Sequence, residues 1–285
     1  MFKGLSLAVL SIALRETIGQ ATTVSTDSLN AISNQFDSSY LSSQYPDGFG
    51  IPLKAQAILN VNYPFGNVQL GKAYNASDVA NQPTISISPL ESSQASFKAP
   101  SAFTLMLADA NALGNPDPKG NYRHFLENGV TFGDPTSNGT MSMNPGSGTV
   151  VTSYAGPGPL PNEGPHRYAW LLFNQPGDFQ APSNLSSAGV SPGHWYVNGY
   201  VSGSKLGDLV AASFFTVENG HANFTPKPLV SPVHNGNKTN NTSNLSGNST
   251  NSSGNAKISG AAVSARVLDG TLMGLVAVGL GLAFV

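Results

Sequence analysis

The chain of 285 residues carries 31 Gly and 20 Pro, well above the roughly 12 % of an average protein, and that density of chain punctuation favours short strands and turns over long helices. Only 13 Lys and Arg stand against 15 Asp and Glu, for a formal net charge of −2, which excludes a general nucleic-acid binder because neutralising phosphates takes clusters of cations. There is no cysteine, so disulfides, thiolate zinc sites and cysteine nucleophiles are excluded, and a chain of this length can bury a core without such staples.

Residues 1–21 open with Met1-Phe2-Lys3, run through the apolar stretch Gly4–Leu14 and reach the small residues Gly19 and Ala21. That order of charge, apolar run and small residues predicts a secretory signal; an ordinary N-terminal helix is the other reading. Residues 22–52 are rich in Ser and Asn with scattered Phe and Tyr, and are expected to pack loosely or to form a helical turn ahead of the main domain.

The domain itself is expected over 53–225. Short β-branched or aromatic runs predict strands at Ile58–Val61, Thr84–Ile87, Phe103–Leu107, Tyr168–Phe173 and Tyr196–Val201. Turn clusters such as Tyr63-Pro64-Phe65-Gly66 and Gly156-Pro157-Gly158-Pro159 separate them. Helices are expected only at Asn75–Ala80, where Asn75 or Ser77 can cap a turn, and at Leu206–Phe215. The fold class is therefore mainly β, with a few short helices at the periphery.

Beyond the domain, residues 226–258 read as a disordered stalk. Between Asn235 and Asn255 there are 8 Asn, 5 Ser, 3 Thr and 3 Gly, too little apolar surface to offset the entropy of ordering. Residues 259–285 follow the layout of a GPI-attachment signal: the small residues Ser259-Gly260-Ala261, a polar spacer to Gly270, and the apolar run Thr271–Val285. As a helix that run rises only about 22 Å, short of a hydrocarbon core of ~30 Å. Attachment is expected at Ser259, with Ser253 or Gly254 as alternatives. Glycosylation sequons start at Asn237, Asn240, Asn241, Asn244, Asn248 and Asn251 in the stalk and at Asn75, Asn138, Asn184 and Asn223 in the body. Secretion and attachment to the outer face of the plasma membrane or the cell wall are the expected destination.

No Gly-x-Ser-x-Gly elbow, His-Glu-x-x-His pair, phosphate-cradling Walker loop or dinucleotide-binding glycine motif is present. Chemistry must come from isolated polar residues. Asp109 closes the apolar run Phe103–Ala108, His124 precedes Phe125-Leu126, and His166 introduces Arg167-Tyr168-Ala169-Trp170-Leu171, so a carboxylate and two imidazoles sit where strands meet loops.

These residues carry a resemblance. Asp109 within Leu105-Met106-Leu107-Ala108-Asp109-Ala110-Asn111, His124 in Arg123-His124-Phe125-Leu126, and Gly156-Pro157 followed by Gly164-Pro165-His166-Arg167-Tyr168 resemble the phosphatidylethanolamine-binding protein family, also called the Raf kinase inhibitor or carboxypeptidase Y inhibitor family. Val61-Asn62-Tyr63-Pro64 and Val79–Ile85 are similar to its opening strands, and Leu206–Phe215 to its closing segment. The resemblance covers about residues 53–220. It implies a β fold with a central antiparallel sheet and a small anion pocket lined by Asp109, Asn111, His124, Gly156, Pro157, His166 and Tyr168, with Phe215 as an apolar lip. Strand alternation puts His166 and Tyr168 on one face and Arg167 on the other, where Arg167 is expected to partner a carboxylate.

The family's Asp-Pro-Asp-x-Pro loop is here Asp109-Ala110-Asn111-Ala112-Leu113, which removes one carboxylate and both prolines. A pocket about one charge less negative, with a less rigid rim, is expected.

The function expected is that of a monomeric, non-enzymatic binding protein without a cofactor. Its ligand would be a phosphate, a phospholipid head group or a peptide carboxylate, and a protease or signalling protein is its expected protein partner. Two other readings stand beside it: a metal-dependent enzyme using Asp109, His124 and His166, and a wall-structural glycoprotein whose pocket is vestigial.

Overall fold

The computed structural model describes residues 24–227. The expected signal at 1–21, most of the expected stalk with its six sequons, and the attachment candidates Ser253, Gly254 and Ser259 lie outside the described residues.

Among the described residues, ten strands form two antiparallel sheets. The smaller contains β1 (Ala57–Tyr63), β2 (Gly66–Asn67), β3 (Thr84–Pro89) and β6 (Met141–Ser142), in the order β2-β1-β3-β6. The larger contains β4 (Ala102–Ala112), β5 (Asn121–Val130), β7 (Thr149–Thr152), β8 (His166–Gln175) and β10 (Leu209–Val217), in the order β10-β8-β4-β5-β7. β9 (Gly193–Trp195) pairs with β5. The mainly β class with short peripheral helices holds.

The central strands of the large sheet read as unbroken apolar runs because both faces are covered. On one face Phe103, Leu105, Leu107, Tyr168, Trp170 and Leu172 pack against the small sheet through Leu59, Val61, Tyr63 and Ile87. On the other, Met106, Ala108, Ala169, Leu171 and Phe173 meet Phe36, Leu41, Phe49, Trp195 and Tyr200. Phe36 belongs to α1 (Thr26–Ser38) and Tyr200 to α2 (Val197–Gly203).

Four elements differ from their sequence-based expectation. Residues 24–52 do turn helical, the second of the two expectations, but they are not loosely packed: Ser25 and Ser28 cap each other reciprocally at the start of α1, and Leu29, Phe36, Leu41 and Phe49 are buried. Tyr196–Val201, expected as a strand for its β-branched and aromatic residues, lies largely in α2, because Val197 and Tyr200 recur at helical spacing and bury one face. Leu206–Phe215, expected as a helix, is mostly β10, every residue of which is buried against β8. Asn75–Ala80 is a turn, closed by the Asp78 N–H donating to Asn75 O and by Asp78 Oδ2, which accepts from both the backbone N–H and the side-chain amide of Asn75.

Candidate functional site

The polar residues gather at one end of the large sheet. In the antiparallel register Asp109 of β4 stands opposite Tyr122 of β5 and Tyr168 of β8, and His166 opens β8 opposite Ala112. The β4–β8 register shifts between Asp109 and Ala112, a bulge that lets Asn111 take a left-handed φ of 62°. Its backbone N–H then donates to Asp109 Oδ1 across 2.7 Å. The Asn111 side-chain amide donates to Gly120 O, an acceptor that an aspartate could not satisfy. The departure from the family pattern at position 111 therefore has a structural use.

Asp109, Asn111, His124, Gly156, His166 and Tyr168 line a single cavity of about 700 Å³. Gly156 allows its wall to approach the turn before β3, because a Cβ there would stand 3.0 Å from Ala80 Cα and O. The two other residues expected at the site do not line the cavity. Pro157 is buried. Phe215 is fully buried in the core between the sheets, edge-on to Tyr63 and Tyr74 and stacked on Tyr168; as a strand, β10 turns Phe214 and Phe215 to opposite faces, and neither forms a lip.

His166 is bracketed by acids. Its Nδ1–H donates to Asp109 Oδ2 at 2.8 Å, and its Nε2 lies 3.4 Å from Glu163 Oε2. Nε2 is buried and has no hydrogen-bond partner among the described residues. Burial opposes protonation, but the hydrogen bond and charge of Asp109, with Glu163 adding to them, outweigh it and raise the imidazole's pKa. His124 is pushed the other way by burial, which the Asp109 charge only partly offsets. Its Nδ1–H donates to Ala155 O at 2.9 Å, so neutral His124 carries its lone pair on Nε2. Burial and the nearby Asp109 charge hold the Tyr168 phenol protonated far above its ordinary range.

Arg167 takes the opposite face, as alternation requires, but its partners are carbonyls and not a carboxylate. The guanidinium donates to Asn111 O, Ala110 O, Ser39 O and Asp47 O at 2.6–3.0 Å, and burial lowers its pKa to about 10. It ties the segment after α1 to the bulged end of β4 that carries Asp109 and Asn111.

Three carboxylate or imidazole residues of the cavity were not among the expected site residues: Asp117, Glu163 and His194. His194 Nε2 donates to Asp117 Oδ2 at 2.7 Å and Lys119 N–H to Asp117 Oδ1. Although burial opposes it, these contacts keep the Asp117 carboxyl below its ordinary range. The cavity is consequently not poor in negative charge: Asp117 and Glu163 more than replace the carboxylate missing at Asn111. Nor is its rim short of prolines, since Pro116, Pro118, Pro159 and Pro192 line it. The signal for Asp117 was present, a carboxylate between two prolines in Asn115-Pro116-Asp117-Pro118. His194 had none, as it meets Asp117 across 77 residues. Among the described residues no three His, Asp or Glu side chains form a group that could hold a metal ion, so Asp109, His124 and His166 do not form the ligand set considered above.

The pattern of the phosphatidylethanolamine-binding protein family matches residues 57–223, and the chain belongs to that family. It is 29 % identical over 173 residues to the uncharacterized protein YLR179C of Saccharomyces cerevisiae, a match covering 58 % of this chain and 84 % of that one. Its fold is similar to that of a carboxypeptidase Y inhibitor solved in complex with the cognate proteinase, at a TM-score of 0.52 and 20 % identity, covering 68 % of this chain and 98 % of the other. A phosphatidylethanolamine-binding protein from Plasmodium vivax matches with a TM-score of 0.41 and 12 % identity over 58 % of this chain and 88 % of its own.

Proposed function

We propose that the mature chain is a non-enzymatic binding protein on the outer face of the plasma membrane or in the cell wall. Its pocket takes the anionic end of a small ligand: a phosphate, a phospholipid head group or a peptide carboxylate. One observation carries this reading. His166 Nε2 is a buried nitrogen without a hydrogen-bond partner at the wall of a large cavity. Because Asp109 accepts from Nδ1, the imidazolium's other proton resides on Nε2, where it makes a charge-assisted donor for an oxyanion. The Tyr168 phenol is a neutral donor lining the same cavity. The cavity histidines hydrogen-bond carboxylates and a carbonyl, not a hydroxyl nucleophile, which supports binding over covalent catalysis.

The cell-surface part of the reading rests on the signal at 1–21, the stalk and the attachment signal at 259–285. The sequon residues Asn75, Asn138, Asn184 and Asn223 are all exposed, as glycan attachment requires. The likeness to an inhibitor bound to its proteinase makes a protease the protein partner to test first.

Calorimetric titration with inorganic phosphate between pH 5 and 8 tests the pocket. Affinity is expected to rise as pH falls through the His166 pKa, and His166→Ala is expected to weaken binding at pH 5 about tenfold or more. Affinity that is flat or rises with pH, and is unchanged in His166→Ala, overturns the reading. Release from cells by a phosphatidylinositol-specific phospholipase tests the anchor, and a mature chain ending at Val285 overturns it.

A further inference from the structure

We propose that the polar groove between the start of α1, the end of β3 and the loop leading into β6 is a carbohydrate-binding site served from within the chain: its ligand is the innermost sugars of an N-glycan carried by Asn138. This rests on the secreted, glycosylated reading given above and adds a seat for one of the glycans.

The groove has a volume of about 840 Å³, within the range that holds a drug-sized ligand. A pair of linked pyranose rings suits that size, whereas a whole branched glycan exceeds it. Its walls come from Val24 and Thr26 at the start of α1, from Leu90, Glu91 and Gln94 at and after the end of β3, and from residues 135–139.

Asn138 is itself part of that lining and opens the sequon Asn138-Gly139-Thr140. Local hydrogen bonds decide which end of its amide is free. Oδ1 accepts from the Thr136 hydroxyl and from Thr140 N–H, while Nδ2, the atom that carries an N-glycan, has no partner among the described residues. The sequon is also tied to the groove walls. Thr140 Oγ1 shares a hydrogen bond with Ser88 Oγ at 3.2 Å, and Gln94 Nε2 stands 3.8 Å from where a Cβ on Gly139 would lie. A sugar on Nδ2 therefore starts beside both.

The chemistry of the walls matches a sugar, which presents hydroxyl and acetamido groups at its edge and C–H groups on its faces. Thr26, Glu91, Ser92 and Gln94 make no side-chain hydrogen bond among the described residues and offer free donors and acceptors, while Pro89 and Leu90 offer apolar contact. With one carboxylate and no lysine or arginine in the lining, the groove suits a neutral ligand better than an ionic one. The other body sequons lack this setting. Asn75 commits Nδ2 to Asp78 Oδ2 at 3.1 Å, and neither it nor Asn184 nor Asn223 lines this groove or the cavity at the end of the large sheet. A seated glycan core joins three stretches distant in sequence, and so holds the start of α1 to the end of β3.

The test compares the full chain, secreted from a eukaryotic host, with Asn138→Asp, which removes the glycan and keeps an oxygen to accept from Thr136 and Thr140. Glycopeptide mass spectrometry is expected to find Asn138 occupied. Hydrogen exchange at the amides of residues 24–29 and 90–94 is expected to be about fivefold slower in the glycosylated protein than in Asn138→Asp, the scale of one net hydrogen bond, with no change at residues 183–186 around another sequon. Trimming the outer mannoses with a mannosidase is expected to leave that protection in place. A measurement on wild type alone stands beside the variant: nuclear Overhauser contacts between the N-acetyl methyl groups of the first sugars and the side chains of Leu90 or Thr26. An unmodified Asn138 on a chain glycosylated elsewhere overturns the groove proposal alone. So does an occupied Asn138 with equal exchange in the two proteins, with protection that disappears along with the outer mannoses, or with no such Overhauser contact, because the glycan then projects into solvent. A secreted chain without any N-glycan overturns the groove proposal and the glycosylated reading together.

Discussion

His166 donates from Nδ1 to Asp109 Oδ2 across 2.8 Å, and this one bond separates the behaviour of two histidines in the same cavity. His166 has the carboxylate as a direct partner, whereas His124 has a carbonyl and is governed by burial. Nuclear magnetic resonance titration of the ring protons is expected to place the His166 midpoint above 6.5 and that of His124 below it. The reverse order contradicts the assignment. Stability follows with opposite signs. The contribution of His166 is fully present below pH 6.5 and is lost as pH rises through its raised folded pKa, whereas that of His124 is present above pH 6.5 and is lost as pH falls through its lowered one.

Asp109→Asn removes the charge that raises His166 and leaves burial unopposed except by Glu163. The His166 midpoint is expected to fall, and the pH at which phosphate binding is half lost with it, while affinity at pH 5 changes less than the midpoint does. A midpoint unmoved in the variant would show that Asp109 does not set the charge of His166.

Arg167→Met strips hydrogen bonds from four carbonyls on three segments. Leaving those acceptors buried without donors is expected to cost about 3 kcal/mol or more in denaturant unfolding. A loss below about 1 kcal/mol would mean that water takes over the role.

Phe36 is fully buried against Phe214, with ring centroids 6.4 Å apart. Phe36→Ala is expected to destabilise by about 3–5 kcal/mol, measured as a shift in urea midpoint with unchanged slope. An effect near zero would return residues 24–52 to the status of a loose extension.

How far the sequence could be read depended on what each residue packs against. β1, β3, β4 and β8 were visible because their apolar runs are long enough to be strands whichever face is covered. β5 was not, since Asn121, Arg123, Glu127 and Asn128 interrupt it, and these polar residues are buried by partners distant in sequence, such as Thr152 for Arg123 and Thr104 and Tyr200 for Asn128. Helix and strand were exchanged at Val197–Gly203 and Leu209–Val217, where short apolar segments fit either period until their neighbours are known. At the site, Asp109, His124, His166 and Tyr168 stood at the ends of legible strands beside family motifs. Asp117, Glu163 and His194 sit in loops or in a three-residue strand, where only tertiary contact reveals their purpose.

The central claim is that His166 Nε2 is the anion handle. A crystal of the protein soaked with phosphoethanolamine tests it most directly. The account predicts a phosphate oxygen within 3.2 Å of that nitrogen, the normal range of an N–H···O bond, with the Asp109–His166 bond intact. A phosphate group bound elsewhere in the cavity, or a cavity without it at saturating ligand, would contradict the account.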